Sequence, residues 1–275
     1  MVQDRGATVT LIGTAISNLG IVMASDSNLT SATGEYAGEA QKVFRVDRVA
    51  GVLAVAGTYS VGGRLIDDWM PDAISTYCAT TAPTMRGFAE FLRDQLAEDI
   101  EPAEHASGTL IHLAGYVDEG SEAHPEFWFV RNFTSIDSSS GAYVGRGSFQ
   151  ISEDFWTRDY MNPGVQDALE AGTEQRYFNG YPAGRIAYLG FMLRLGHFLR
   201  QTWADPAWKF RAPRSVDELA RFVDLEIRAI GAMFFSSDYA APYIGGTVQI
   251  ETIRAPHNAI KLGSGAPRAR YGGAR

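Results

Sequence analysis

The chain has 275 residues, 45% of them apolar and 20% charged, the balance of a globular protein able to bury a sizeable core. That composition excludes disordered, collagen-like and coiled-coil classes. The formal charge of −8 is uneven: Lys261, Arg268, Arg270 and Arg275 give residues 255–275 a charge of +4, which leaves −12 on the rest. An acidic body repels phosphate backbones, so nucleic acid is not an expected partner. Cys78 stands alone and cannot build a disulfide framework or a cysteine metal site. The start Met-Val-Gln-Asp-Arg lacks the pattern of a signal peptide, and the longest apolar run, 49–57, is too short to cross a bilayer. The expectation is a soluble, cytoplasmic protein without membrane contacts.

The first sixty residues read as strands. Thr8 to Ser17 is rich in Thr and Ile, Asn18-Leu19-Gly20 is a turn, and Ile21 to Ser25 returns as an apolar strand. A polar, Gly-containing loop over Ser27 to Ala40 leads to a second hairpin, Val43 to Val46 and Gly51 to Ala56. Helical periodicity then takes over, first through Leu65, Ile66, Trp69, Ile74 and Tyr77, then through Phe88, Phe91, Leu92 and Leu96, with Thr84 as the N-cap of the second helix. Strands resume at Thr109 to Val117, Glu126 to Asn132 and Ala142 to Val144, and helices from about Ser152. Ser215-Val-Asp-Glu218 is a capping box opening a helix towards Phe235, and Thr247 to Arg254 is the last strand. Two antiparallel sheets packed face to face, with helices outside, satisfy this order. Residues 1–254 then form a single domain, interrupted by a helical insertion at about 149–213, and 255–275 form a flexible basic tail.

Common chemical motifs are missing. None of the three lysines, Lys42, Lys209 and Lys261, follows a glycine as a phosphate-binding loop requires. Gly145-Arg146-Gly147 lacks the third glycine of a dinucleotide loop, His105 and His112 have no metal-ligand spacing, and there is no Gly-x-Ser-x-Gly elbow. No cofactor and no metal are expected.

One cluster survives: Thr10, Asp26 and Lys42, each sixteen residues from the next, at strand ends beside loops. Around them, Gly20-Ile-Val-Met-Ala-Ser-Asp-Ser-Asn-Leu-Thr30 resembles the proteasome β-subunit strand with its Ala-Asp-Ser-x-x-Thr ending. Gln41-Lys-Val-Phe-Arg-Val46 resembles the strand that follows it, and Val55-Ala-Gly57 resembles the family's Ala-Gly turn. The capping-box helix, Asp238 and Gly245-Gly246 before a strand match its C-terminal half. The chain thus looks like a proteasome β-subunit-like member of the N-terminal-nucleophile (Ntn) hydrolase superfamily over most of residues 8–254. The resemblance implies an α+β, four-layer αββα sandwich with two antiparallel sheets between helical layers.

It also implies a chemistry. A threonine hydroxyl is a weak nucleophile and needs a base; in this family the base is the threonine's own α-amine, whose ordinary pKa of roughly 7.7–8.0 suits neutral pH. On the resemblance Thr10 is the nucleophile once residues 1–9 are removed. Lys42 keeps the amine neutral by like-charge repulsion, and Asp26 is the lysine's counter-ion. The Gly57 N–H is the oxyanion donor, and Asp238 completes the catalytic set. The substrate is a peptide or amide, and the assembly is a homo-oligomeric ring. The sequence departs from the family at several places: Val9 precedes Thr10 where the family has glycine, Thr8 is a second candidate nucleophile, and Arg146 and Tyr243-Ile244 stand where helper serines are expected. A catalytically inactive ring or scaffold subunit that stays unprocessed is therefore the alternative, with a small-molecule amidase as a third reading. Within the insertion, Trp156, Trp203 and Trp208 and an apolar helix over 184–202 suggest either outer packing or a subunit contact.

Overall fold

The computed structural model describes residues 10–30, 35–57, 59–100, 108–133, 135–136, 143–144, 147–152, 175–180, 194, 201, 213–236 and 244–262. The first hairpin forms as expected, from β1 (Leu11–Ser17) and β2 (Gly20–Ser25), paired antiparallel from Ile12↔Ser25 to Ser17↔Gly20. Every residue of both strands is buried, because the hairpin is covered on both faces. The side-chain period of two then divides the hairpin between two cores. Ile12, Ile16, Ile21 and Met23 enter one, and Leu11, Ala15, Val22 and Ala24 enter the other.

After it come a short pair, β3 (Asn28–Thr30) and β4 (Tyr36–Glu39), and the second hairpin, β5 (Val43–Val46) with β6 (Gly51–Gly57). The β3–β4 pair lies in the segment expected to be a loop. A further minimal hairpin, β7 (Ser60–Val61) with β8 (Arg64–Leu65), precedes the first helix. These strands of two to four residues are too short to carry a readable alternation.

The two helices of the first half are α1 (Ile66–Cys78) and α2 (Met85–Asp99). Thr84 caps α2 as its sequence suggests, its Oγ1 accepting the Gly87 N–H at 3.0 Å. Next are β9 (Thr109–Asp118), β10 (Ala123–Arg131), the small pair β11 (Ser135–Ile136) and β12 (Tyr143–Val144), and β13 (Gln150–Ser152).

Within the insertion the helical expectation needs correcting: β14 (Gln175–Gly180) is a strand that pairs antiparallel with β1, from Leu11↔Gly180 to Ile16↔Gln175. Its six residues have no helical apolar period, and β1 offers them an open ladder. The helix expected over 184–202 lies outside the described residues apart from Arg194 and Gln201, both helical.

The capping-box helix α3 (Val216–Phe235) begins where expected, with Ser215 Oγ accepting the Glu218 N–H at 3.1 Å. The return arm differs from the expected box: the Glu218 carboxylate accepts from the Arg214 N–H at 2.9 Å. The last strand is β15 (Gln249–Arg254).

Two main sheets result, both antiparallel: β14-β1-β2-β15 and β13-β10-β9-β6-β5. One apolar core joins them, with Ile12, Ile16 and Met23 meeting Val52, Ala54, Leu110 and Phe129. A second core holds Leu53, Val55, Ile111 and Trp128 of the five-stranded sheet with Trp69 and Met70 of α1 and Phe88 and Leu92 of α2. A third sets Leu11, Ala15, Val22 and Ala24 under Val223, Ile227 and Ile230 of α3. Complete burial of a side chain such as Phe88, Leu92 or Ile230 is worth roughly 1.5–3 kcal/mol, so these three cores hold the site elements in place.

The expectation of a flexible tail from residue 255 needs correcting over 255–262. Ala123 N–H donates to Asn258 O and Ile260 N–H to Ala123 O, both at 3.0 Å, while Leu262 N–H donates to Asn18 Oδ1 at 2.6 Å. Ala255, Ala259 and Leu262 pack on the core between the sheets. Backbone bonds replace the apolar period whose absence suggested a loose end. Residues 263–275 lie outside the described set.

Candidate functional site

Antiparallel pairing decides which residues meet. Because Ile12 lies opposite Ser25, the residues just before β1 and just after β2 emerge at the same end of the hairpin. Thr10 and Asp26 occupy those positions. The Asp26 carboxylate closes the gap, its Oδ1 accepting the Leu11 N–H at 2.8 Å, one peptide unit from Thr10. Its Oδ2 receives Lys42 Nζ at 3.4 Å and the Gly245 N–H, also at 3.4 Å. Lys42 comes from the other sheet, at the entry to β5, and its ammonium also donates to the Asn28 carbonyl at 2.5 Å. Three residues sixteen apart in sequence are thus drawn to one end of the two-sheet core.

The pair is fully buried, with 1% of the Lys42 side chain and none of that of Asp26 exposed. Burial pushes the Asp26 carboxyl up from its ordinary value of 3.8, against the pull of the Lys42 ammonium and of the Leu11 and Gly245 amides. Burial likewise pushes Lys42 down from 10.5, against the attraction of Asp26. Each charge is tolerable only because of the other and of the N–H and C=O groups around them. At low local dielectric such a pair exerts a strong field on whatever adjoins it.

Thr10 is 1% exposed, and its Oγ1 has no hydrogen-bond partner among the described residues. The buried hydroxyls of Thr14 and Thr109 are likewise without a partner there, so what singles out Thr10 is its place next to the Leu11 amide that Asp26 binds.

Gly57 ends β6, on the strand next to Lys42: the Val55 N–H, two residues earlier, donates to the Lys42 carbonyl at 2.9 Å. Its φ of +99° is a glycine conformation, and a Cβ there would stand 2.0 Å from the Gly108 carbonyl oxygen. Asp238, Thr8, Val9, Arg146 and Tyr243 lie outside the described residues. The structure therefore brings Thr10, Asp26 and Lys42 together, sets Gly57 on the adjoining strand, and leaves the Asp238 expectation without a described position.

Four contributors escaped the sequence reading. The Asn28 carbonyl takes the lysine's shortest hydrogen bond, which no side-chain motif can announce. Ser27 and Glu39 hold the Gly245–Thr247 segment against the pair: Ser27 Oγ donates to Glu39 Oε2 at 2.7 Å and accepts the Thr247 N–H at 2.8 Å. Gln249, at the start of β15, bonds the backbone on both sides of Gln41. His112, by contrast, is packing: it stacks 4.3 Å from Phe129, and burial holds its pKa down at about 3, so it stays neutral.

No protein-family model and no curated protein matches this chain.

Proposed function

We propose that the chain is an Ntn hydrolase of proteasome β-like type, with Thr10 as nucleophile, acting on peptide or amide bonds. The observation that carries this reading is the buried Lys42–Asp26 pair whose carboxylate also binds the Leu11 amide, the N–H that follows Thr10. A free α-amine at Thr10 would lie beside a desolvated ammonium, and like-charge repulsion would keep it neutral enough to take the hydroxyl's proton. The three apolar cores support the four-layer αββα sandwich as the fold, and the place of Gly57 on the strand beside Lys42 is where the family resemblance puts the oxyanion donor.

The reaction follows as acyl transfer. The amine accepts the Thr10 Oγ1 proton, Oγ1 attacks the substrate carbonyl, and the tetrahedral oxyanion accepts a hydrogen bond from the Gly57 N–H. The amine then passes its proton to the leaving amine. Water, activated in the same way, releases the acyl group and regenerates the hydroxyl.

The scaffold reading has one observation in its favour: Thr10, Asp26 and Lys42 are each no more than 1% exposed in the full chain. A site buried to this degree presents no reactive group to a substrate. Cytoplasmic residence and a homo-oligomeric ring complete the proposal, and among the described residues no helix is long and apolar enough to cross a membrane.

Intact mass and N-terminal sequencing of the purified protein test the choice. The hydrolase reading expects a chain beginning at Thr10, lighter by residues 1–9, and an oligomer by light scattering. A monomer would reject the ring, and an inert chain that keeps residues 1–9 on prolonged incubation would favour the scaffold.

A further inference from the structure

Gln249 is the first residue of β15 and lies opposite Ser25 in the β15–β2 ladder, one residue before Asp26. Its side chain reaches into the other sheet. Oε1 accepts the N–H of Lys42 at 2.6 Å and of Val43 at 3.2 Å, and Nε2 donates to the Ala40 carbonyl at 2.5 Å. A single amide thus satisfies three backbone groups of the segment that presents Lys42, from a strand whose ladder ends beside Asp26. The segment has further ties: Tyr59 Oη donates to the Gln41 carbonyl at 3.0 Å, the Ala40 N–H to the Ser27 carbonyl at 3.0 Å, the Val55 N–H to the Lys42 carbonyl at 2.9 Å, and the Gln41 N–H to Asp67 Oδ2 at 3.4 Å.

The two arms of the ion pair belong to different sheets, so their separation depends on how the sheets are joined at this end. Between β5 and β15 a second polar tie lies further along, where Arg45 Nη1 donates to the Thr252 carbonyl at 2.9 Å, and the core between the sheets is apolar; at Lys42 itself the joint is a directional three-bond clamp. An ammonium that sits 3.4 Å from Asp26 and, on the hydrolase reading, acts on the Thr10 amine cannot tolerate ångström-scale drift.

From this juxtaposition we propose that Gln249 is a positioning residue for Lys42: it sets the register between the sheet carrying Thr10 and Asp26 and the segment carrying the lysine. The inference rests on the hydrolase reading above. Gln249 does not touch the reacting atoms and acts only through Lys42. Glutamine suits the task because its planar amide offers an acceptor and a donor together, at the length needed to cross the gap.

The test compares the chain beginning at Thr10 with its Gln249→Met and Gln249→Glu variants. Methionine keeps the length and loses all three bonds; glutamate keeps the accepting oxygen. Turnover of fluorogenic peptides and simple amides is followed against pH, and amide hydrogen exchange is read at Lys42 and Val43. For Gln249→Met we expect kcat to fall tenfold or more with KM within twofold. The acidic limb should move to higher pH, because a displaced ammonium no longer depresses the amine's pKa. Exchange at the two amides should rise at least tenfold while Val22 in β2 stays protected. Gln249→Glu should recover a large part of kcat and of the protection.

An active parent whose Met variant keeps its kcat and acidic limb overturns the inference, whether or not its melting temperature drops. Unchanged exchange at Lys42 and Val43 also overturns it, and that readout needs no activity. A parent with no turnover overturns the hydrolase reading instead. If the Met variant does not fold, the Glu variant decides: a parent-like exchange pattern at Lys42 and Val43 supports the clamp, and lost protection there counts against it.

Discussion

A Lys42→Met chain is expected to lose stability and turnover together. Removing the ammonium leaves the Asp26 carboxylate buried without its counter-ion, and breaking one side of a buried pair costs about 3–5 kcal/mol. Adding Asp26→Asn to it removes the stranded charge and keeps an oxygen for the Leu11 N–H. The double variant should therefore recover at least half of the lost stability while turnover stays at background. Recovery of fold without recovery of activity separates the pair's two roles. Urea unfolding and initial rates measure them, and the loss of rate should be on the order of a hundredfold or more, the range for disabling a general base.

The single variant should also acquire a pH dependence of known sign. In the parent, burial already raises the Asp26 pKa above 3.8, partly offset by Lys42. Without the lysine the offset is gone and the folded-state value rises further. Between the unfolded value and the raised folded value the folded chain binds more protons than the unfolded one, so stability falls as pH rises. Lys42→Met should be most stable near pH 4 and weaken steadily above it. The double variant lacks this carboxyl and should lose that dependence.

The second large effect concerns the N-terminus. A chain produced to begin at Thr10 should turn over peptide or amide substrates at once, whereas chains that still carry residues 1–9 should be nearly inert until those residues are removed. The peptide bond that ties up the α-amine is then gone. Val9 should slow the removal of residues 1–9, because a β-branched side chain crowds the carbonyl that self-cleavage must attack, so a chain produced to begin at Thr10 bypasses that slow step. Thr10→Ala in the short chain should return the rate to background, and equal activity of full-length and short chains would remove Thr10's amine from the mechanism.

Much of this was legible in the sequence because it rests on local patterns. Continuous apolar runs announced β1, β2 and β6 as strands covered on both faces, Thr84 and Ser215 announced two helix starts, and the places of Thr10, Asp26 and Lys42 at strand ends, read with the family resemblance, pointed to their convergence. What was hidden depends on the backbone or on distant partners. The Asn28 carbonyl that receives the lysine has no side-chain signature. The β3–β4 pair is too short to alternate, and β14 is a strand because β1 presents an unpaired edge to it. Residues 255–262 lack an apolar period and are held by backbone bonds to Ala123 and Asn18. Gln249, more than two hundred residues from Lys42, is an ordinary polar strand residue until the sheets are assembled.

The central claim is that the Thr10 hydroxyl carries the acyl group during turnover. The direct measurement is to quench the chain beginning at Thr10 during steady-state hydrolysis and map the adduct by mass. The expected result is an increment equal to the substrate's acyl group on the peptide that starts at Thr10, absent from the Thr10→Ala chain. An adduct on another residue, or turnover with no adduct that survives in Thr10→Ala, would contradict it.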